Sequence, residues 1–439
     1  MNILLSAYAC DPAHGGEDGN GFHWAWETAA LGHDVWCLTT PSGRQHIEQH
    51  MQTLAAHPAA ARLRFVYVAV PALLEWLYRW QFGVYLHYLG WQWAAWRVAR
   101  PLNRALAFDL VQHVTFGSLQ MASWLWRLGR PFVFGPVGGG QRAPAQLRSY
   151  LPRWFRTERM RDVIGWLLAT FDPNVRQCLR RAVLVPVANH DTAALARRLG
   201  ATRVELVMST ALPPAYFPAQ YPARPPRAGR PLRILWLARL FPRKGLHLVL
   251  DALGRVHPRV NFHLDIMGDG PVAAQLDGWL SAAGLHQRVT YHGNVPYAEV
   301  RAAYLDHDLF MLCSLRDTYA AQYLESMALG LPILTLDHHG ATDFIPATAG
   351  LKVPIGTPEA TANALARAVE HLYDHPDVLV ALGKGGFAYA RQHSWPALVA
   401  RLLHRALPAL VAQPPTARSG VTGAVNQWAT RAATRQFVA

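Results

Sequence analysis

Residues 233–253 read RILWLARLFPRKGLHLVLDAL. An apolar run around Ile234–Leu237 is too short for a buried helix and has the length of a buried strand. A turn containing Pro242 and Gly245 follows, and then LHLVLDAL repeats its apolar residues with helical spacing. Strand, short turn and helix in that order open an α/β unit. Open α/β sheets bind ligands beyond the carboxyl ends of their strands. Arg239 and Lys244 stand at such an end and could both reach a diphosphate. The plainer alternative for them is a solvated basic turn.

The pattern repeats downstream. NFHLDIMG, VTYHGNV, LFMLCSL and PILTLD read as strands, with the helices VAAQLDGWLSAAG, AEVRAAYLDHD and YLESMALG between them. It also repeats upstream, from NILLSAYA through DVWCLTT, RFVYVAV, residues 109–115 and residues 131–134 to VLVPVAN and RVELVMS. A helix is expected over residues 118–128. Between the halves, PPAYFPAQYPARPPRAGRP holds too many prolines for a helix or central strand. The expected fold is α/β, with two doubly wound, Rossmann-like domains facing a cleft and closing helices at the end. The expected domains are 1–212, a linker over 213–231, a second domain over 232–411, and a disordered tail over 412–439.

The chain has 439 residues, enough for two domains, and 51% of them are apolar against 16% charged. That excludes disordered and fibrous classes. The net charge of +14 suggests an anionic partner without naming it. Cys10, Cys37, Cys178 and Cys313 are far apart, which argues against a disulfide framework or a structural zinc site. MNILLSAYACDP lacks the basic start and long apolar run of a signal peptide, so a cytoplasmic location is expected.

Three further motifs carry chemistry. In HGGEDGNG, Gly15 and Gly16 precede a helix whose N-terminus favours an anion. A ligand-free glycine turn is the equal alternative. In SLRDTYAAQYLESMALGLP, Asp317 and Glu325 are eight apart, one before a helix and one inside it. A carboxylate there can accept two hydroxyls of a ribose; Asp317 could instead cap the helix. Asp306-His307-Asp308 reads as a helix end and not as a metal-binding DxD, so no metal site is expected.

Taken in order, LARLFPRKGLHLVLDAL, MGDGP, HGNVPYAEVRAAY and the D-x7-E segment running into ESMALGLPIL resemble glycosyltransferase family 4, which has the GT-B fold. The first half is similar in its GGE loop, in residues 108–117 and in GPVGGG. The resemblance implies that Arg239 and Lys244 hold a donor diphosphate and that Glu325 binds its ribose. It places Gly15, Gly16, Gly268, Asp269, Val295, Tyr319, Ala320 and Ala321 along the donor site. Asp317 stands where the family has a glutamate near the transferred sugar, one methylene shorter. Thr318-Tyr319-Ala320 replaces the usual Gly-Phe-Gly. His113, or Gln112 in the neighbouring register, would contact the sugar; a hydrogen-bonded structural histidine is the alternative. Gly138, Gly139 and Gly140 would face the acceptor. The implied activity is retaining and metal-independent, with no cofactor and a UDP- or GDP-linked sugar as donor.

Two segments bear on the acceptor. Residues 73–100 hold Trp76, Trp80, Trp91, Trp93 and Trp96 with Arg79, Arg97 and Arg100. Residues 141–161 are rich in arginine, with Glu158 as their one acid. Aromatic and basic helices of this kind fit an anionic membrane face, here the inner one, and a glycan or lipid-linked acceptor. Helices packed on the sheet or facing solvent are the alternative. No nucleic-acid partner is expected. Two rival functions stay open: a GT-B nucleotide-sugar epimerase, and a non-catalytic basic adaptor on membrane or nucleic acid.

Overall fold

The computed structural model describes residues 1–411 apart from 81–82, 152 and 226–228. The expected tail at 412–439 lies outside the described residues, as does part of the linker.

The first lobe is built on β1 (Asn2–Ala7), β2 (Asp34–Thr39), β3 (Leu63–Tyr67), β4 (Leu110–Thr115) and β5 (Phe132–Phe134). They pair in parallel in the order β3-β2-β1-β4-β5. The short β6 (Val185–Val187) and β7 (Val204–Leu206) continue this sheet through bridges from Val133 to Leu184 and Val137 to Val187. Its helices are α1 (Glu17–Ala30), α2 (Arg44–Thr53), α3 (Ala72–Leu77), α4 (Gly83–Leu106), α5 (Trp154–Phe171), α6 (Pro173–Arg181) and α7 (His190–Arg198).

The second lobe holds β8 (Leu232–Leu237), β9 (Phe262–Met267), β10 (Val289–Gly293), β11 (Leu309–Met311), β12 (Ile333–Leu336) and β13 (Gly350–Val353). Their order is β10-β9-β8-β11-β12-β13, parallel throughout. Around them lie α8 (Leu246–Gly254), α9 (Leu276–Ala283), α10 (Tyr297–Asp306), α11 (Ala321–Ala328), α12 (His339–Phe344), α13 (Pro358–Asp374) and α14 (Pro376–Ala390), and α15 (Trp395–Val411) follows them in the chain. The central strands are apolar on both faces because helices cover both.

Two expectations need correction. Residues 118–128 form turns and one 3-10 turn at Leu125–Leu128 instead of a helix. The Leu119 amide donates to Gly138 O at 2.9 Å and Gln120 Nε2 to Gly139 O at 2.6 Å, which draws this stretch onto the glycine loop. The closing helices do not all belong to the second lobe. In α15, Trp395, Leu398, Val399, Leu402 and Leu403 form one apolar stripe buried with Phe22, Trp24 and Ala25 of α1. The chain thus crosses back, and the Trp395 amide donates to Leu212 O at 3.0 Å. The linker is also fixed on one side. Arg224 donates to His307 O, Gly330 O, Tyr304 O and Leu329 O of the second lobe.

Candidate active site

In each sheet the strand order reverses once beside its first strand, between β1 and β4 and between β8 and β11. The loops that leave these switch points face each other. Glu17, Phe116 and Gly117 from the first lobe, and Arg243, Arg316, Asp317 and Thr318 from the second, line one cavity of about 1580 Å³. Such crevices are where doubly wound sheets bind ligands.

On the second lobe the loops after β8 and β11 are tied together. Gly245 has φ 73° and opens α8; a Cβ on it would stand 1.9 Å from Cys313 O, so only glycine fits. Leu315 N donates to Arg243 O at 2.7 Å and Ser314 Oγ to the same oxygen at 3.1 Å. The result is a direct ion pair between Lys244 Nζ and Asp317 Oδ2. The lysine side chain is 12% exposed and the aspartate 20%. Burial would raise the Asp317 carboxyl, but Lys244 and Arg243 beside it, with hydrogen bonds from Lys244 and Ser314, hold it below the usual carboxylate range. Asp317 does not cap α11. That helix begins with Ala320 at its cap and no side chain bonded to its first amides.

Arg239 is exposed at the end of β8, its guanidinium 4.7 Å from the Phe241 ring centre. Arg243, not singled out in the sequence, lines the cavity with Arg316. Arg316 is ion-paired to Glu158, a buried carboxylate of α5 on the opposite lobe. That pairing has no local sequence signal, because it exists only once the lobes meet.

The other candidates distribute unevenly. Gly138, Gly139 and Gly140 line the cavity. A Cβ on Gly138 would lie 2.7 Å from Thr318 Oγ1, so the missing side chain lets the lobes touch there. Gln141 Nε2 donates to that same Thr318 hydroxyl at 2.9 Å. Gly268 and Asp269 turn away from β9 beside the β8 loop, where Leu240 N donates to Asp269 O at 2.9 Å. Val295 is half-buried in the loop after β10. Gly15 and Gly16 are exposed just before α1 and do not line the cavity; Glu17 after them does, and accepts from Gly117 N at 3.0 Å. Glu325 is buried within α11 and accepts from Tyr304 Oη at 2.9 Å.

Arg239, Lys244, Gly268, Asp269, Val295 and Glu325 are not among the residues that line the cavity, and His113, Gln112, Tyr319 and Ala320 are buried away from it. His113 is fully buried in β4, with Ser6 Oγ 3.0 Å from Nδ1 and Tyr88 Oη 3.0 Å from Nε2. Burial pushes its pKa down to about 3. It is a neutral core histidine, because β4 is central and covered on both faces. Gln112 beside it is equally buried. The Tyr319 ring packs against Tyr323 and Phe344, and Ala320 is buried with it, so any role of theirs toward a ligand would be through backbone.

Of the DxD-like residues, Asp308 accepts two hydrogen bonds from Arg230, at 2.6 and 2.8 Å. Among the described residues, Asp11, His14 and His46 bring three potential metal-ligand atoms within 4.8 Å of one another. They lie beyond β1 and outside the cavity lining, and the Asp11 carboxylate already faces both imidazoles, at 2.8 and 3.0 Å.

Two facing doubly wound lobes of this kind make the GT-B fold. Solved structures share the fold across nearly the whole chain. Sucrose-phosphate synthase from Thermosynechococcus elongatus covers 94% of this chain and 100% of its own, with TM-score 0.68 and 18% identity. The Anabaena HepE protein in complex with UDP covers 93% and 100%, with TM-score 0.60 and 17% identity. Residues 231–371, in the second lobe, match the family model for glycosyl transferases group 1. In sequence, the chain is 28% identical over 209 residues to the putative colanic acid biosynthesis glycosyltransferase WcaL of Escherichia coli, covering 46% of this chain and 51% of that protein. It is 31% identical over 161 residues to the amylovoran biosynthesis glycosyltransferase AmsK of Erwinia amylovora, covering 35% and 39%. The chain therefore aligns with about half or less of these two relatives' length.

Proposed function

We propose that this chain is a retaining, metal-independent glycosyltransferase. It would move a hexose from a UDP- or GDP-linked donor to a glycan or lipid-linked acceptor in cell-surface polysaccharide synthesis, at the cytoplasmic face of the membrane. The observation that carries the reading is the cavity between two facing switch points, with Asp317 on its second-lobe wall and Lys244 ion-paired to that carboxylate from behind the lining. The relatives named for colanic acid and amylovoran synthesis, and the UDP held by the Anabaena protein, support the substrate class.

In this reading the donor diphosphate lies at the ends of β8 and β11. Lys244 and Arg239 meet the negative charge that grows as the sugar–phosphate bond breaks, with Arg243 nearby. The uncapped amides of α11 face the same charge. Asp317 holds the Lys244 ammonium in place. The acceptor hydroxyl attacks from the face the diphosphate leaves, and its proton passes to a departing phosphate oxygen. Glu325 binds the ribose hydroxyls.

The test is a thermal-shift panel of UDP, GDP and their sugars, with and without EDTA. The expected result is a rise in melting temperature with one nucleotide class that EDTA leaves intact. No shift with any of them would remove the reading. The anomeric configuration of the product, read by NMR, decides retention.

A further inference from the structure

Most large apolar side chains that stand exposed belong to two segments. Leu73, Trp76, Tyr78, Trp80, Leu86, Leu89 and Trp93 lie on and around α3 and α4; Met160, Val163, Ile164, Trp166, Leu167 and Phe171 lie on α5. Elsewhere among the described residues only Leu31, Leu206, Tyr291 and Val380 are so exposed. Phe171, Leu73 and Trp80 leave 69%, 66% and 63% of their surface open. A soluble monomer does not ordinarily gather its exposed apolar groups this way.

The two segments are not separate patches. Leu77, Trp80 and Leu86 from the first, and Met160, Ile164 and Trp166 from the second, line the same cavity that holds Asp317 and Gly138. They form an apolar collar around the first-lobe side of the candidate active site. Arginines accompany them. Arg79, Arg97 and Arg100 on one segment, and Arg153, Arg156 and Arg159 on the other, are exposed. The Arg97 guanidinium lies over the Trp93 ring at 4.7 Å and that of Arg100 over the Trp96 ring at 5.1 Å. Glu75 is the one exposed acid on these segments. Glu158 is spent on Arg316 and Arg161, and the half-buried Asp162 faces Arg316. No helix among the described residues is long and apolar enough to cross a membrane.

We infer that this collar seats on an anionic lipid bilayer, so that the cavity opens toward the headgroups and takes its acceptor from the membrane. The inference rests on the transferase reading of the cavity and names the surface that presents the acceptor to it. Aromatic and aliphatic side chains would enter the headgroup boundary while the arginines meet lipid phosphates. A second copy of the chain would have to match cation against cation across this face. A bilayer of negative headgroups matches it directly.

The test uses the full chain and vesicle flotation. The probes are vesicles of phosphatidylcholine alone and of phosphatidylcholine with about 30% phosphatidylglycerol. Binding is expected to the anionic vesicles, weakened by salt, and not to the neutral ones. The variant Trp76→Ser/Val163→Ser/Phe171→Ser alters exposed residues that do not line the cavity. It should bind vesicles about tenfold more weakly while keeping the wild-type thermal shift with UDP or GDP. Vesicle binding equal to wild type in this variant would overturn the inference. So would a wild-type chain that ignores vesicles, or one that forms a concentration-dependent dimer lost in the variant. If vesicles are bound but no nucleotide shifts the melting temperature, the docking surface stands and the transferase reading falls.

Discussion

At the scale of single residues, the site turns on one ion pair. Lys244 and Asp317 are mostly shielded from solvent, so each fixes the other far more than an exposed pair would. If Asp317 acts through the lysine, the two substitutions must be coupled. Lys244→Ala should lower kcat/KM by about 10²–10³-fold, the usual loss when one charge-stabilising donor is removed. Adding Asp317→Asn to Lys244→Ala should cost less than about threefold more, because the group that Asp317 positions is already gone. Steady-state kinetics on the two single variants and the double variant measure the coupling. Simple multiplication of the two losses would assign Asp317 a direct contact with the sugar instead. His113 gives the opposite expectation. Its ring bridges Ser6 and Tyr88 in the core, and Gln92 Nε2 extends the chain to Tyr88 Oη at 2.8 Å. His113→Gln should keep kcat/KM near wild type and lower unfolding free energy by about 1–3 kcal/mol, the cost of a broken buried hydrogen bond. Urea unfolding alongside activity separates the two effects.

At the scale of elements, the second lobe is legible in sequence because its strands are buried on both faces and its turns are tight. Apolar runs such as RILWLARL then carry one reading. The 118–128 stretch misleads because its apolar spacing looks helical, while hydrogen bonds to Gly138 and Gly139 decide its conformation. The same holds for His113: its place on a strand is legible, but not the depth of its burial. Arg316 with Glu158, and Gln141 with Thr318, join residues 158 and 177 positions apart, beyond the reach of local pattern. The α15 stripe shows a regular helical face without saying which lobe it covers. Its partner α1 carries a pH-sensitive group. Glu27 of α1 is 9% exposed, and burial pushes its pKa up to about 7 from 4.5. The unfolded chain therefore gives up this proton from pH 4.5 upward, and the folded chain only near 7. Stability from Glu27 is present below pH 4.5 and is lost as pH rises through 7. Glu27→Gln should then be more stable than wild type at pH 8, with the gap closing toward pH 4.5. His23, on the same helix and stacked on Trp395, is pushed down to about 4 and works in the other sense, losing stability as pH falls from 6.5. Comparing denaturation midpoints of the variant and wild type across this range isolates Glu27, since His23 is common to both. A gap constant with pH would refute the assignment.

At the scale of the whole molecule, the two lobes are held in contact by a reciprocal pair of bonds between α7 and α12. On α7, His190 Nδ1 lies 3.0 Å from Asp343 Oδ2, and the His190 amide donates to the same oxygen at 2.8 Å. In return, His339 Nδ1 on α12 lies 2.7 Å from Asp191 Oδ2, and its Nε2 is 3.0 Å from Arg142 O. Burial would raise the Asp191 carboxyl, but the His339 hydrogen bond and nearby His190 and His338 hold it below its ordinary range. These contacts sit at one edge of the cavity, since Asp191 also lines it. Closure around a bound donor is the step that such lobes control. Asp191→Asn/Asp343→Asn keeps shape and removes both charges. Each partly exposed pair is worth about 1 kcal/mol, so together they shift the closed population about 30-fold. The double variant should show a larger radius of gyration by small-angle X-ray scattering and a raised KM for the donor. Its kcat at saturating donor should stay near wild type, because a bound donor restores closure through its own contacts with both lobes. An unchanged radius with a reduced kcat would mean that Asp191 acts on the reacting groups rather than on the approach of the lobes.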